Sequence, residues 1–280
     1  VATTQAVTPY RLEHRSGLPV LTWPVFDAHA MDAVVTTRAG GVSSGPYATL
    51  NLGLHVGDED RLVVRNRERV AGCLGTELDA FVFCEQAHDR NVRAVGPRHR
   101  GRGARERATA IPATDALVTA TPDVVLVVMV ADCVPLVLYD PVAHVLACVH
   151  AGWGGTVRGV TTEAVRGMVG LGARPGDILA GIGPAIAPDH YQVGRDVAAS
   201  VTAACDGDPA GLIRPDGAGH WLLDLWEANR RQLRAAGVPD RQIHLADLPT
   251  GTGTDFFSHR ADPSAGRFAA VARLQARSTQ

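Results

Sequence analysis

No cysteine in this chain has a second one at CxxC spacing, and the five present (Cys73, Cys84, Cys133, Cys148, Cys205) are odd in number and widely scattered. That argues against a disulfide framework and points to a reducing compartment, the cytoplasm. Long hydrophobic runs are missing too. The longest uninterrupted one, beginning at Val124, falls far short of the roughly 20 residues of a membrane-spanning helix. VATTQAVTPYRLEHR at the start has no basic residues followed by an apolar stretch, so no signal peptide is expected. An excess of charge of one sign is also absent: 27 Lys+Arg against 29 Asp+Glu leave a net charge of -2. That balance gives no reason to expect a nucleic-acid or anionic-membrane partner.

What is there is a chain of 280 residues, 46% hydrophobic and 20% charged, the make-up of a soluble enzyme with a large core. Residues 1–17 read as a loose arm and residues 18–280 as one catalytic domain. The chain is organised around Val124 to Arg158. Val124 to Val130 reads as a strand buried on both faces. Ala131 then leads into two ionisable residues, Asp132 and Cys133. A second strand, Val134 to Tyr139, turns at Asp140-Pro141, and a third, Val145 to Val149, ends at His150. After Gly152, Gly154 and Gly155, a helix is expected over Thr156 to Leu171, with Val157, Val160, Ala164, Met168 and Leu171 at helical spacing. Cys133 and His150 thus each stand beside a hydrophobic strand, where a dry core can support a site.

Further strands are expected at Val20 to Phe26, Ala33 to Thr37, Ala80 to Cys84, Ile178 to Ile182, Trp221 to Leu223, Ile243 to Leu245 and Arg267 to Leu274. Helices are expected from an Asp58 cap to about Gly72, over Gly194 to Cys205, and over Asp224 to Ala236, stopped by Gly237 and Pro239. Thr36 to Asp58 is a long glycine-rich loop. The basic loop Pro97 to Arg107 reads as a solvated surface. Strands outnumber helices and many are joined by short turns. The fold class is therefore α/β (α+β), with mixed, largely antiparallel sheets covered by helices.

Six ordered motifs then carry a resemblance: TTRAGGVSSGPYATLNLGLHVGD (36–58), EQAHDRNV (85–92), ADCVPLVLYD (131–140), HAGWGGTVRGV (150–160), GPAIAPDHYQVG (183–194) and FFSHRADPSAGRFAAV (256–271). Together they resemble the laccase-domain family, also called the YfiH-like multicopper polyphenol oxidoreductase or purine nucleoside phosphorylase family. The resemblance implies a layered α/β/β/α fold similar to the catalytic domain of cytotoxic necrotizing factor toxins. It implies zinc held by His88, Cys133 and His150. It implies phosphorolysis of adenosine, inosine, guanosine and methylthioadenosine, with deamination of adenosine, so the partners are purine nucleosides and phosphate. Arg38, in TTRAGG, matches a signature arginine and is the first candidate for phosphate. The N–H groups of Gly154 to Val157 are the second. Asn51 and Gln86 are candidates to orient phosphate or base. Gly154 departs from the family's HAGWRG pattern, Asp189 and His190 replace a cysteine pair, and Pro249 replaces another cysteine.

The residues by themselves leave other readings open. A cysteine beside a buried strand is more often a small hydrophobe, and Cys84, Cys148 and Cys205 fit that description. His150 alone is equally a hydrogen-bonded structural histidine. A copper polyphenol oxidase is disfavoured because the 11 histidines contain no H-x-H pair, and the next methionine after Cys133, Met168, lies in an expected helix rather than at an axial position. A cysteine amidohydrolase editing cell-wall precursors, with Cys133 as nucleophile and His150 as base, is the remaining alternative.

Overall fold

The computed structural model describes residues 8–205 and 209–277. Residues 1–7 of the expected arm, and residues 206–208 and 278–280, lie outside the described residues. In chain order the strands are β1 (Arg11–Arg15), β2 (Leu18–Thr22), β3 (Met31–Thr36), β4 (Phe81–Phe83), β5 (Val92–Ala94), β6 (Ala116–Thr119), β7 (Val125–Val130), β8 (Val134–Asp140), β9 (Val145–Ala151), β10 (Leu179–Ile182), β11 (Ala185–Ile186), β12 (Gln192–Gly194), β13 (Ile213–Pro215), β14 (His220–Leu223), β15 (Ile243–Leu245), β16 (Pro249–Thr250) and β17 (Phe268–Leu274). The α-helices are α1 (Asp60–Cys73), α2 (Trp153–Val157), α3 (Val160–Val169), α4 (Arg195–Ala204) and α5 (Leu225–Ala235).

Two six-stranded sheets dominate, in the orders β1-β2-β3-β17-β7-β4 and β15-β10-β8-β9-β6-β5. Their interior pairs are antiparallel, and only the edge pairs β4·β7, β10·β15 and β5·β6 are parallel. The sheets face each other. Leu126, Val128 and Val130 of β7 meet Val137, Leu146 and Cys148 of the second sheet in one core. On the other face of β7, Val125 and Val127 pack with Val70 and Leu74 of the α1 layer. Leu136, Leu138 and Val149, on the outer face of the second sheet, meet Val160, Met168 and Leu233 of α3 and α5. The layers are α/β/β/α, as expected. Strands covered on both faces have no polar side to show, which is why β7, β8 and β9 read as nearly continuous apolar runs. Each such Val or Leu contributes about 1.5–3 kcal/mol by leaving water.

Four local expectations change. The strand expected to run to Phe26 ends at Thr22, and Pro24–Phe26 forms a 3-10 turn with Pro24 in its first turn. Arg11–Arg15 is a strand, paired antiparallel with β2. It is a polar edge strand, largely exposed, so its sequence carries no apolar alternation. The helix expected from Thr156 starts at Trp153 and breaks at Gly159, whose φ of 83° separates α2 from α3. Glu59, not Asp58, precedes the first turn of α1. The Asp58 carboxylate accepts from Ser43 Oγ and Asn51 Nδ2 instead. Asn66, which interrupts the apolar stripe of α1, is buried. Its amide donates to Ser43 Oγ and to the Thr49 and Asn51 carbonyls, and accepts from the Val42 N–H. One polar residue on the inner face of α1 thereby holds the long 36–58 loop.

Candidate functional site

The chain crosses from the first sheet to the second between β4 and β5, and again between β7 and β8. His88 lies in the first crossing and Asp132 in the second. Both hold left-handed backbones, with φ of 56° and 92°, a conformation uncommon outside glycine. The sharp turn at Asp132 delivers Cys133 to the start of β8. β9 brings His150 directly across from Pro135 in the antiparallel register. These three pieces converge at the seam between the sheets.

Cys133 Sγ lies 3.8 Å from His88 Nε2. The His88 and His150 rings stand nearly perpendicular, with centroids 4.7 Å apart. One potential ligand atom from each of His88, Cys133 and His150 lies within 4.8 Å of the others. A tetrahedral zinc with one sulfur and two nitrogen ligands needs donor separations of roughly 3.3–3.8 Å, so a small adjustment of side chains accommodates an ion. Gly152 makes room for the cluster: a Cβ there would stand 2.8 Å from His88 Cδ2 and 2.9 Å from Cys133 Sγ.

A buried carboxylate organises the candidate ligands. Asp115 is fully buried, and its Oδ1 accepts from His150 Nδ1 at 2.8 Å and from the His88 N–H at 2.9 Å. Its Oδ2 accepts from the Ala87 and Asp89 N–H groups. With Nδ1 bound to Asp115, His150 turns Nε2 towards the cluster, the arrangement that fixes a metal-ligating tautomer. Asp132 supports the second crossing in the same way: it accepts from Thr250 Oγ1 and the Arg260 N–H, and its carbonyl accepts from the Ile186 N–H.

Electrostatics favour a charged pair. Burial alone would raise the Cys133 thiol, but the charge and hydrogen bond of His150, with those of His88, bring it down to about 6. Burial alone would lower His150, but the Cys133 thiolate and the Asp115 carboxylate raise it to about 9. Between those limits the metal-free pair holds one proton, and a metal must expel it to use both donors. Metal affinity is therefore expected to rise with pH through the neutral range. Binding should release about one proton per ion there, measurable by titration calorimetry in buffers of different ionisation enthalpy. Proton release indistinguishable from zero would sink the pairing.

The cluster sits at the wall of a cavity of about 460 Å³. Phe83, Trp153 and Tyr191 give it aromatic surface, and Arg107, Arg260 and Arg267 give it positive charge. The size suits a small organic ligand.

Residues 32–275 match the family model described as "Multi-copper polyphenol oxidoreductase laccase". The chain belongs to this family. It is 39% identical over 259 residues to "Purine nucleoside phosphorylase YlmD" of Bacillus subtilis, covering 91% of this chain and 92% of that one. It is 43% identical over 265 residues to "Purine nucleoside phosphorylase" of Deinococcus radiodurans, covering 94% and 96%. Among solved structures it resembles the hypothetical protein YfiH of Bacillus licheniformis, with a TM-score of 0.90, 36% identity and coverage of 96% of this chain and 100% of that one. YlmD from Geobacillus stearothermophilus gives 0.89, 38%, 96% and 100%.

Within this laccase-family fold, His88, Cys133 and His150 come together as the motifs implied, and Gln86 joins them at the cavity. Gln86 is held by two bonds to the Met129 backbone. Arg38 is not among the cavity-lining residues. Its Nε donates to the Ala48 carbonyl and its guanidinium lies over the Phe257 ring. Asn51 is fully buried, with its amide bonded to Gly53, Asp58 and the Arg267 N–H. It holds a wall residue rather than facing the cavity. The Gly154–Val157 N–H groups belong to a helix of only five residues, and a Cβ on Gly154 would meet Arg158 Nη1 at 2.9 Å. Arg107, at the end of the basic loop expected to be solvated surface, lines the cavity, as do His55 and His259. Met129, upstream of Cys133, lines it too, with its sulfur 3.7 Å from Arg67 Nη2. Asp115 stands just before a strand, and no local pattern marks it. Arg67 carries a signal: it is four residues after Val63 and three before Val70, on the buried face of α1.

Proposed function

We propose that this protein is a zinc-dependent purine nucleoside phosphorylase acting on adenosine, inosine, guanosine and methylthioadenosine, with adenosine deamination at the same site, in the cytoplasm. The observation that carries the reading is the three-ligand His88–Cys133–His150 cluster opening onto a cavity with aromatic and cationic walls. The names of the relatives from B. subtilis and D. radiodurans support it. The donor set, one thiolate and two imidazoles, suits zinc and leaves a fourth position open. A zinc ion bound there supplies Lewis-acid chemistry.

The chain's own residues do the rest. Tyr191 and Trp153 offer apolar faces to a purine. Gln86, with one bond on each amide atom, keeps a free N–H and a free lone pair for the base edge. Phosphorolysis joins a phosphate oxygen to C1′ as the C1′–N9 bond breaks; the bonding pair leaves with the purine, which then takes up a proton. The cationic wall balances the phosphate charge.

The test is a nucleoside panel, with and without phosphate, on metal-quantified protein. Adenine release from adenosine is expected to require phosphate and to yield ribose 1-phosphate in equal amount. Release without phosphate, as free ribose, would make the protein a hydrolase. The copper reading is tested in the same preparation: oxygen uptake with a polyphenol, tracking copper content, would replace the phosphorylase by an oxidase.

A further inference from the structure

The cavity has a second pole, separate in character from the metal cluster. Arg67, Arg107, Arg267 and His55 all line it. Arg67 is 2% exposed, and its N–H groups point at neutral acceptors: the Leu52, Gly103 and Ala104 carbonyls and the Met129 sulfur. Its guanidinium lies 3.8 Å from the centre of the Phe83 ring. Among the described residues no carboxylate pairs with Arg67 or Arg267, and Arg107 reaches Glu85 only at 3.6 Å. Arg67 gives all its hydrogen bonds to neutral dipoles, and the one opposing charge acting on it, that of Asp60, lies beyond ion-pair distance; such a guanidinium leaves a positive potential that low dielectric screens little. Buried charges are ordinarily paired, so the missing counter-ion points to a ligand.

Arg267 lines the same cavity with donors to spare. Its Nη1 is tied to the Ala265 and Gly266 carbonyls, and its backbone N–H to Asn51 Oδ1. Its Nε and Nη2 have no hydrogen-bond partner among the described residues. Gly53 lets it pack close, since a Cβ there would be 2.9 Å from Arg267 Cγ and 3.3 Å from His55 Cε1. His55 registers the combined field. Burial first, then the charges of Arg267, Arg107 and Arg67, lower its pKa to about 4. Neutral at physiological pH, His55 adds a hydrogen-bonding edge without adding charge.

We propose that Arg267 and Arg107, backed by the buried charge of Arg67, form the binding site for a phosphate dianion in the same cavity as the metal cluster. The identification of that dianion as the co-substrate rests on the phosphorylase reading above; the anion site itself does not. Arg267 supplies the directed N–H donors, Arg107 an exposed second charge, and Arg67 a fixed field. A guanidinium fork is suited to phosphate because it presents two parallel N–H donors.

The test uses the full-length, metal-loaded protein and its Arg267→Gln, Arg267→Lys and Arg107→Gln variants, each checked for fold by circular dichroism. Binding of inorganic phosphate is measured by titration calorimetry at constant ionic strength, with adenosine 5′-monophosphate as a parallel probe. Arg267→Gln should weaken phosphate binding about tenfold or more, and raise the phosphate KM by the same factor. The nucleoside KM should move less than about twofold. Arg267→Lys should recover part of the loss, and the exposed Arg107→Gln should show a smaller one of about threefold. Loss of inorganic phosphate binding identifies the free ion as the ligand. Loss of monophosphate binding without any binding of inorganic phosphate identifies a phosphate ester, and the dianion site still stands. Unchanged affinity for both probes in folded Arg267→Gln and Arg107→Gln overturns it. Phosphate binding that Arg267→Gln removes, in a protein that cleaves no nucleoside, would uphold the site and end the phosphorylase reading. Phosphate-dependent cleavage with an unaltered phosphate KM would do the reverse.

Discussion

Cys133→Ser is expected to lose bound zinc and nucleoside turnover together. The wild type should carry about one zinc per chain, as one three-ligand site would, and the variant clearly less. The reason is the donor chemistry. Serine keeps the size of the side chain but has no thiolate, and its alkoxide is out of reach near neutral pH, so two imidazoles would hold the ion alone. The alternative that this result decides against is a cysteine amidohydrolase. Cys133 has the features of a nucleophile too: a thiol lowered to about 6 by its histidine partners, and a neighbouring base oriented by a carboxylate. A nucleophile variant would keep whatever metal is present while turnover collapses. Full zinc occupancy in an inactive Cys133→Ser would therefore remove the ligand assignment. A second measurement separates the two in the wild type: a zinc enzyme is silenced by a strong chelator, whereas a thiol hydrolase ignores chelators and is silenced by alkylation.

Asp115→Asn should damage both stability and metal affinity, by more than any single change on the cavity wall. Asp115 takes four hydrogen bonds on two oxygens, from His150 Nδ1 and from three backbone N–H groups around His88. Asparagine turns one of those oxygens into a donor, which then faces N–H groups that are themselves donors. Each buried group left unsatisfied costs about 1–3 kcal/mol, and the lost carboxylate–imidazole contact adds to it, for a total of about 3–5 kcal/mol. Released from Asp115, His150 is free to change tautomer and tilt, which typically weakens a metal site by about 10- to 100-fold. Denaturant midpoints and zinc competition titrations read the two effects separately. The carboxylate itself is held ionised: burial pushes against ionisation, but the His150 bond and the Asp89 and Ala87 N–H groups outweigh it and lower its pKa. A folded Asp115→Asn with unchanged zinc affinity would show that the ligands are positioned by the sheets alone.

Much of the architecture is legible along the chain because burial leaves a local trace. The apolar runs of β7, β8 and β9 are written in consecutive residues, since strands covered on both faces exclude polar side chains. The helix α5 is marked by its flanking residues: Asp224 caps it by accepting from the Glu227 N–H, and Gly237 and Pro239 follow its end. The edge strand β1 left no such trace, because a strand with one open side tolerates RLEHR.

The site divides the same way. Its three metal-ligating candidates are legible by motif, but spacing cannot join them, since His88 and Cys133 are 45 residues apart. Only the two crossings between sheets, with their left-handed turns at His88 and Asp132, bring those side chains to one point. Arg38 illustrates the converse: its motif draws attention, yet packing places it against Phe257 and the Ala48 carbonyl. Asp115, Arg67 and Arg267 show what tertiary structure alone decides. A charged residue has the same letter whether it is solvated or buried. Its role follows from which donors, acceptors and charges surround it, and those neighbours come from distant parts of the chain that only the packed sheets bring together.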